Sequence, residues 1–476
     1  MFKLPGTFPV YHRIPKAILY FMKKLTTLIL LAFAIFELQN AVAQVTDPIL
    51  TRPDVRQYGH PFTGVPDRRD VSIYQVNIRS FSNTGDFKGV TERLDSIKAL
   101  GVNVLYLMPI YPVGILKSTN SPYCVRDYRG INPDFGTLDD LRNLVAGAHK
   151  RGMAVMLDWV ANHTSWDNPW MKNKGWYLTD AAGNVVSPPG FNWYDVAQLN
   201  FKNADMRTAM IKSMKYWVLT ANVDGFRCDY ADGPPSDFWV QAIDTLRNVK
   251  GHRLLFLAEG NRKDLFPDGF DYNFGFKFYG NLRQVYRRGK TVHAIDSINK
   301  VEYQYASNGQ QMVRYLTNHD VNSSDGTPLD LFGGERGSMA AFVVVAYMEG
   351  VPFIYNGQEV GMRTRLVFPF TKTKIDWTPN PHVTGEYKSI IAFRNHSNAI
   401  RRGQLTSFSS ADVCAFLKTA GSEKVLVLSN LRNKQVSFSL PQNLTGSKWK
   451  NVFTNQKSTL GNTVDLPPYS YLVFKN

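Results

Sequence analysis

The chain has 476 residues, 44% of them hydrophobic and 13% aromatic, enough apolar surface for one large core or a large core with a smaller companion. Lys and Arg outnumber Asp and Glu to give a formal charge of +16, but the basic residues are scattered singly, with no run of five or six, so nucleic acid is not an expected partner. Three cysteines, Cys124, Cys228 and Cys414, cannot all pair within one chain and none has CxxC spacing, so neither a disulfide framework nor a zinc site is indicated and they read as buried small apolar residues.

The first 43 residues read as a targeting segment. From Met22, the expected true start, the order is Lys23-Lys24, an apolar run from Leu25 to Phe36, and Ala41-Val42-Ala43 before Gln44. This matches a charged n-region, an h-region and an A-x-A cleavage site. The run is shorter than a bilayer requires and is followed by Glu37, Gln39 and Asn40, so no stable membrane insertion is expected. The mature protein is expected to be secreted or periplasmic.

After the leader a unit repeats: amphipathic helix, glycine, wholly apolar strand. Val90, Leu94, Ile97 and Leu100 share one face of a predicted helix over 87–100, Gly101 stops it, and Val102 to Met108 follows as a strand. Thr137, with Asp140 in capping-box position, opens the next helix, and Gly152 precedes the strand Met153 to Leu157. The pattern returns with a helix over 206–220 before Val223 to Cys228, with 236–249 before Leu254 to Ala258, and with 338–349 before Val351 to Tyr355. Val71 to Ile78 and Met312 to Leu316 complete at least seven strands. Strands apolar throughout are buried on both faces, as in a parallel sheet covered by helices, and this number over about 300 residues predicts a closed (β/α)₈ TIM barrel. No glycine-rich dinucleotide fingerprint follows the first strand, which argues against an open doubly wound sheet.

Two stretches break the repeat. A Trp-, Tyr-, Gly- and Pro-rich insertion of about residues 162–200 follows the third strand, and loops of that length are usually functional. From about Arg401 the pattern shifts to short β-type runs. The expected organisation is therefore residues 44–400 as a barrel with its insertion and 401–476 as an all-β sandwich domain.

Acidic residues stand at several C-terminal strand ends, where a parallel barrel places its active site: Asp158, Asp229, Glu259 and Asp320. His163, Arg227 and His319 accompany them. Carboxylates without a phosphate loop, thiol nucleophile or Ser-His pair suit glycoside hydrolysis, in which one acid protonates the leaving oxygen and a second attacks the anomeric carbon. Asp229 and Glu259 close consecutive strands, four and five, about the spacing that retention requires. Arg227, two residues before Asp229 and on the same strand face, is expected to keep that carboxyl ionised.

Asp158-Trp-Val-Ala-Asn162-His163, Gly225-Phe-Arg227-Cys-Asp229, Leu257-Ala-Glu259-Gly and Asn318-His319-Asp320 resemble, in order, the four signature regions of the α-amylase superfamily, glycoside hydrolase family thirteen. The resemblance runs from about Val71 to Trp377. It implies Asp229 as nucleophile, Glu259 as acid/base and Asp320 as the third, transition-state-stabilising carboxylate. It further implies Tyr123, His163, Arg227, His319 and Asp158 as substrate-binding residues, with Tyr123 stacking on the sugar, and the insertion as the family's domain B. The implied substrate is an α-glucan or maltooligosaccharide cleaved at α-1,4 bonds by a monomeric enzyme. Neighbouring activities are α-glucosidase, cyclomaltodextrinase and transglycosylase, and a non-catalytic carbohydrate-binding protein is the remote alternative. No organic cofactor is expected. A Ca²⁺ ion is the family's frequent companion, with Asn162 as its remaining ligand. However, Tyr230-Ala231-Asp232-Gly233 follows the nucleophile where relatives carry Lys-His, and Gln198-Leu199-Asn200 stands where an Asp ligand is usual.

Overall fold

The computed structural model describes residues 47–476, together with Ala17, Tyr20, Phe21, Lys24 and Leu25. The expected leader, apart from these five positions, and its cleavage site at Ala43 lie outside the described residues. Residues 1–53 and 54–476 form separate units. In the first, Asp47 caps the single helical turn Pro48–Thr51, accepting from the Ile49 N–H.

In the second unit eight parallel strands close into a barrel: β1 (Ile73–Val76), β2 (Val104–Leu107), β3 (Ala154–Trp159), β4 (Gly225–Cys228), β5 (Leu255–Ala258), β6 (Tyr272–Phe274), β7 (Gln311–Tyr315) and β8 (Val351–Tyr355). Each pairs with the next, and β8 returns to β1. Every residue of β1 to β6 and β8 is buried, because side chains fill the barrel on one face and meet helices on the other. The helices Leu138–Lys150, Ala204–Ala221, Ser236–Arg247 and Gly334–Tyr347 cover that outer face. Thr137 and Asp140 form the expected reciprocal capping box.

The structure departs from the expected elements at two places. The helix expected over 87–100 is two short helices, Phe87–Thr91 and Leu94–Lys98, broken at Glu92 and Arg93. The guanidinium of Arg93 lies 3.9 Å from the Trp377 ring centroid, a contact with the far end of the barrel sequence that local periodicity does not report. The one barrel strand without a predicted counterpart, β6, is only three residues long and contains Asn273, and it is reached from β5 through a loop rather than a full helix.

The insertion leaves β3 as a small antiparallel ribbon, His163–Ser165 paired with Val196–Gln198. Its entry is fixed from the barrel side: the Tyr128 hydroxyl lies within hydrogen-bonding distance of the carbonyls of both Val160 and His163, 2.7 and 2.8 Å. The Tyr128 ring packs against Trp159 and Trp170. This is the rigid link that holds the insertion against the barrel rim.

The C-terminal strands are β9 (Gln404–Ser407), β10 (Val413–Ala420), β11 (Glu423–Asn430), β12 (Val436–Ser439), β13 (Lys448–Asn451), β14 (Lys457–Thr459), β15 (Thr463–Leu466) and β16 (Tyr471–Lys475). They form an antiparallel six-stranded sheet, order β9-β10-β11-β16-β13-β14, and a β12-β15 pair. Val413, Leu426, Phe438, Trp449 and Leu466 fill the core between them. The larger sheet rests on the barrel helix Gly334–Tyr347, where the Ser429 hydroxyl donates to the Ala340 carbonyl at 2.8 Å.

Candidate active site

The site grows from the adjacency of β4 and β5. Cys228 and Ala258 are register partners, so the next residues, Asp229 and Glu259, leave the sheet side by side. The approach is close at the strands' beginning, where a Cβ on Gly225 would lie 2.0 Å from the Leu255 carbonyl oxygen, so only glycine fits there. Asp229 N–H donates to the Trp159 carbonyl at 2.9 Å and Glu259 N–H to the Cys228 carbonyl at 3.0 Å, which ties both acids to neighbouring strands.

Arg227 lies fully buried beneath them. Its Nη1 donates to Asp158 Oδ1 and Asp229 Oδ1, both at 2.8 Å, and Nη2 lies 2.6 Å from Glu259 Oε1. Asp158 also accepts from the Tyr106 hydroxyl at 2.5 Å and from the Tyr123 hydroxyl at 3.1 Å. One guanidinium, itself fully buried, thus faces three carboxylates, of which Asp229 and Glu259 reach the cleft. Burial raises the proton affinity of Asp158 and, with the charges of Glu259 and Asp158 added, pushes Asp229 well above the usual carboxylate range, against the pull of Arg227. Arg227 still pulls Asp229 toward the ionised form, as expected, but its single charge is divided among three acids and is opposed by burial and by the neighbouring carboxylates.

The two histidines are neutral. Burial depresses both His163 and His319 to about 4. Gln75 Nε2 lies 3.0 Å from His319 Nδ1, and His319 Nε2 lies 2.6 Å from the Tyr123 hydroxyl. With the imidazole proton on Nε2 the relay runs from Gln75 through His319 and Tyr123 to Asp158, each donor meeting an acceptor. Tyr123 is thereby fixed, its ring stacked on His319 at a centroid distance of 5.5 Å. Asp320 follows on the first turn of the helix His319–Ser324, which Asn318 caps, and its carboxylate is 62% exposed at the cleft mouth.

These groups open into a cleft of about 480 Å³. Of the sequence-predicted residues, Tyr123, His163, Asp229, Glu259, His319 and Asp320 line it. Asp158 and Arg227 do not: both are fully buried under the floor and reach the cleft only through Tyr123, Asp229 and Glu259. Trp193, one of the insertion tryptophans for which the sequence leaves sugar stacking and core packing both open, lines the cleft. Tyr230 and Phe368 in the walls, and Gln75 and Tyr106 in the support, are not expected there from the sequence, the last two because strand burial disguises them as ordinary core. Cys228 faces away from the cleft and is fully buried.

Asn162, 2% exposed, is engaged by Gln198. Gln198 Nε2 is within 3.0 to 3.1 Å of Asn162 O, Asn162 Oδ1 and Leu199 O, while Asn162 Nδ2 donates to Gln198 Oε1 at 3.1 Å. No group of three or more potential metal-ligating His, Cys, Asp or Glu side chains occurs among the described residues.

A carboxylate pair on adjacent barrel strands, bridged by one arginine and faced by a third acid, is accompanied by matching sequence. A family model described as "Alpha amylase, catalytic domain" matches residues 72–182, and one described as "Alpha-amylase SusG C-terminal domain" matches residues 413–473. The chain belongs to the α-amylase superfamily. It is a glycoside hydrolase. Among its relatives, Alpha-amylase 2 of Dictyoglomus thermophilum is 27% identical over 82% of this chain and 71% of the relative. A cyclomaltodextrinase of Geobacillus thermopakistaniensis is 26% identical over 82% and 70%. In three dimensions the chain is similar to an α-amylase from Lactobacillus plantarum, with TM-score 0.77 and 26% identity over 86% of this chain and 99% of that one. In this chain the acids follow barrel strands, while Trp193 of the cleft wall comes from the insertion.

Proposed function

We propose that the protein is a retaining hydrolase of α-1,4-glucosidic bonds in starch, glycogen or maltooligosaccharides. The observation that carries this reading is the placement of Asp229 and Glu259 on one guanidinium at the ends of adjacent strands, since neighbouring strands lie roughly 4.8 Å apart and retention needs carboxyls about 5 to 5.5 Å apart. Glu259, as general acid, protonates the glycosidic oxygen as Asp229 attacks the anomeric carbon. The bond to the leaving sugar breaks and a glycosyl ester on Asp229 forms. Glu259, now a carboxylate, takes a proton from water as the water oxygen bonds to the anomeric carbon and the ester to Asp229 breaks, which releases the sugar with its original configuration and frees the Asp229 carboxylate. Asp320, exposed across the cleft, binds sugar hydroxyls and stabilises the oxocarbenium-like charge. The Tyr123 ring offers an apolar platform to the sugar face, and neutral His163 and His319 donate or accept hydrogen bonds without adding charge.

The surroundings of Asn162 do not fit the Ca²⁺ ion that the family suggests. A hard dication wants six to eight oxygens including carboxylates. Here an amide nitrogen already sits among the three nearest oxygens, so we infer that Gln198 fulfils the structural role of a cation at this point and that the reaction needs no metal there. The Met22 to Ala43 leader pattern supports work outside the cytoplasm.

Product analysis tests the reading. Soluble starch, maltoheptaose and a cyclomaltodextrin are incubated with the wild type and with Glu259→Gln, and the anomeric configuration of the first products is read by NMR. Linear products of α configuration, lost in the variant, support it. Cleavage of the cyclic substrate alone favours the cyclomaltodextrinase reading that the Geobacillus relative suggests. β products, or activity unchanged in the variant, contradict the assignment.

A further inference from the structure

The residue directly after Asp229 has a conformation that its type does not favour. Tyr230 has φ +39°, in the left-handed region where bulky residues are outliers, and such strain persists only where surroundings impose it. Those surroundings are identifiable. The Tyr230 ring meets Phe191 and Trp193 of the insertion edge-on, at centroid distances of 5.2 and 5.3 Å, while Phe191 and Trp193 stack on each other at 4.2 Å. The ring also approaches Gly233, where a Cβ would come within 2.7 Å of Tyr230 Cε1 and 2.2 Å of Asn162 Oδ1, so the missing side chain makes the room.

The strained peptide has a consequence at Glu259. Tyr230 N–H donates to Glu259 Oε2 at 3.0 Å, and the next amide, Ala231 N–H, donates to the Glu259 carbonyl at 2.7 Å. With Arg227 on Oε1, both carboxylate oxygens and the backbone of this side chain are held from outside its own strand. The Tyr230 N–H bond is charge-assisted when Glu259 is a carboxylate, so it strengthens as the proton departs toward a leaving group.

We propose that Tyr230 is a positioning residue for Glu259, and that Phe191 and Trp193 of the insertion, by locking its ring, couple proton donation to the state of the insertion loop. This rests on the acid/base role proposed above for Glu259. The loop therefore does more than wall the cleft. Phe191, 38% exposed, does not line the cleft itself, so its effect on catalysis passes through Tyr230 and Trp193. Substrates that fill the cleft against Trp193 hold the aromatic trio closed and the acid aimed. Substrates too short to reach it leave the acid less well oriented. The preferred class is thus α-glucan chains long enough to press on the insertion.

The test compares leaving groups. Maltoheptaose needs a proton on its departing oxygen, whereas α-maltosyl fluoride departs with little acid assistance. Phe191→Ala and Tyr230→Gly in the full-length enzyme are expected to lower kcat on maltoheptaose about tenfold more than kcat on the fluoride, a selective loss within the range of general-acid effects. Phe191→Tyr, which keeps a ring, is expected to restore the wild-type ratio. An equal fall on both substrates would mean that the trio only binds sugar or supports the fold, and would overturn the proposal, as would an unchanged ratio. Glu259→Gln is the control: a loss confined mainly to maltoheptaose upholds the acid/base role whatever the aromatic variants do. A wild type that cleaves neither substrate defeats the functional reading itself.

Discussion

His319→Gln isolates one titration with a magnitude that the structure supplies. Buried against Gln75 and Tyr123 and facing Arg227, His319 is depressed to about 4, whereas an unfolded histidine titrates near pH 6.5. A group depressed by folding contributes stability that is present above the unfolded value and lost as pH falls toward the folded one, because the unfolded chain binds the proton first. Integrated from pH 7 to pH 5, the linkage amounts to about 2 kcal/mol for this residue. Glutamine keeps a polar side chain beside Tyr123 but cannot titrate. Reversible denaturant unfolding of wild type and variant at both pH values gives the difference directly. The wild type is expected to lose about 2 kcal/mol more than the variant on acidification, with the carboxylate contributions cancelling in the comparison. Equal losses in the two proteins would refute the neutral, buried histidine and with it the relay to Asp158.

Three further outcomes follow from the same geometry. Arg227→Met strands three carboxylates around a missing charge and is expected to cost about 3 to 5 kcal/mol at pH 7, with a smaller deficit at pH 5 where the acids protonate; denaturation at the two pH values checks both. Excess chelator is expected to leave activity and unfolding midpoint unchanged, since the Gln198 amide stands among the oxygens of Asn162 and Leu199; a loss that added Ca²⁺ restores would contradict this. Thr137→Ala, which opens the capping box of the Leu138–Lys150 helix, is expected to cost about 1 kcal/mol by the same unfolding assay without altering kcat.

The barrel was legible because its strands are buried on both faces, and continuous apolar runs stopped by glycine are the direct imprint of that environment. Where burial is short or polar the imprint fades. Asn273 interrupts the three residues of β6, and no helix-glycine unit announces it. The acids at 229, 259 and 320 could be read because a carboxylate ending an apolar strand is a local anomaly. Their support could not: Gln75 and Tyr106 look like core, and the meeting of Phe191 and Trp193 with Tyr230 joins segments that only the closed fold brings together. The resemblance supplied the site's identity, but not that Asp158 and Arg227 lie below its floor, nor that one guanidinium is divided among three acids. Those depend on distances of a few tenths of an ångström and on burial, which strand alternation does not encode.

The most direct measurement is to trap the covalent intermediate. The wild type is incubated with 5-fluoro-α-glucosyl fluoride, whose good leaving group speeds formation of the glycosyl ester and whose ring fluorine slows its hydrolysis, and the digested protein is examined by mass spectrometry. A single fluoroglucosyl adduct on the peptide containing Asp229, absent in Asp229→Asn, is the predicted result. Turnover of the fluoride with no adduct, or an adduct on Glu259 or Asp320 instead, would contradict the assignment of Asp229 as nucleophile.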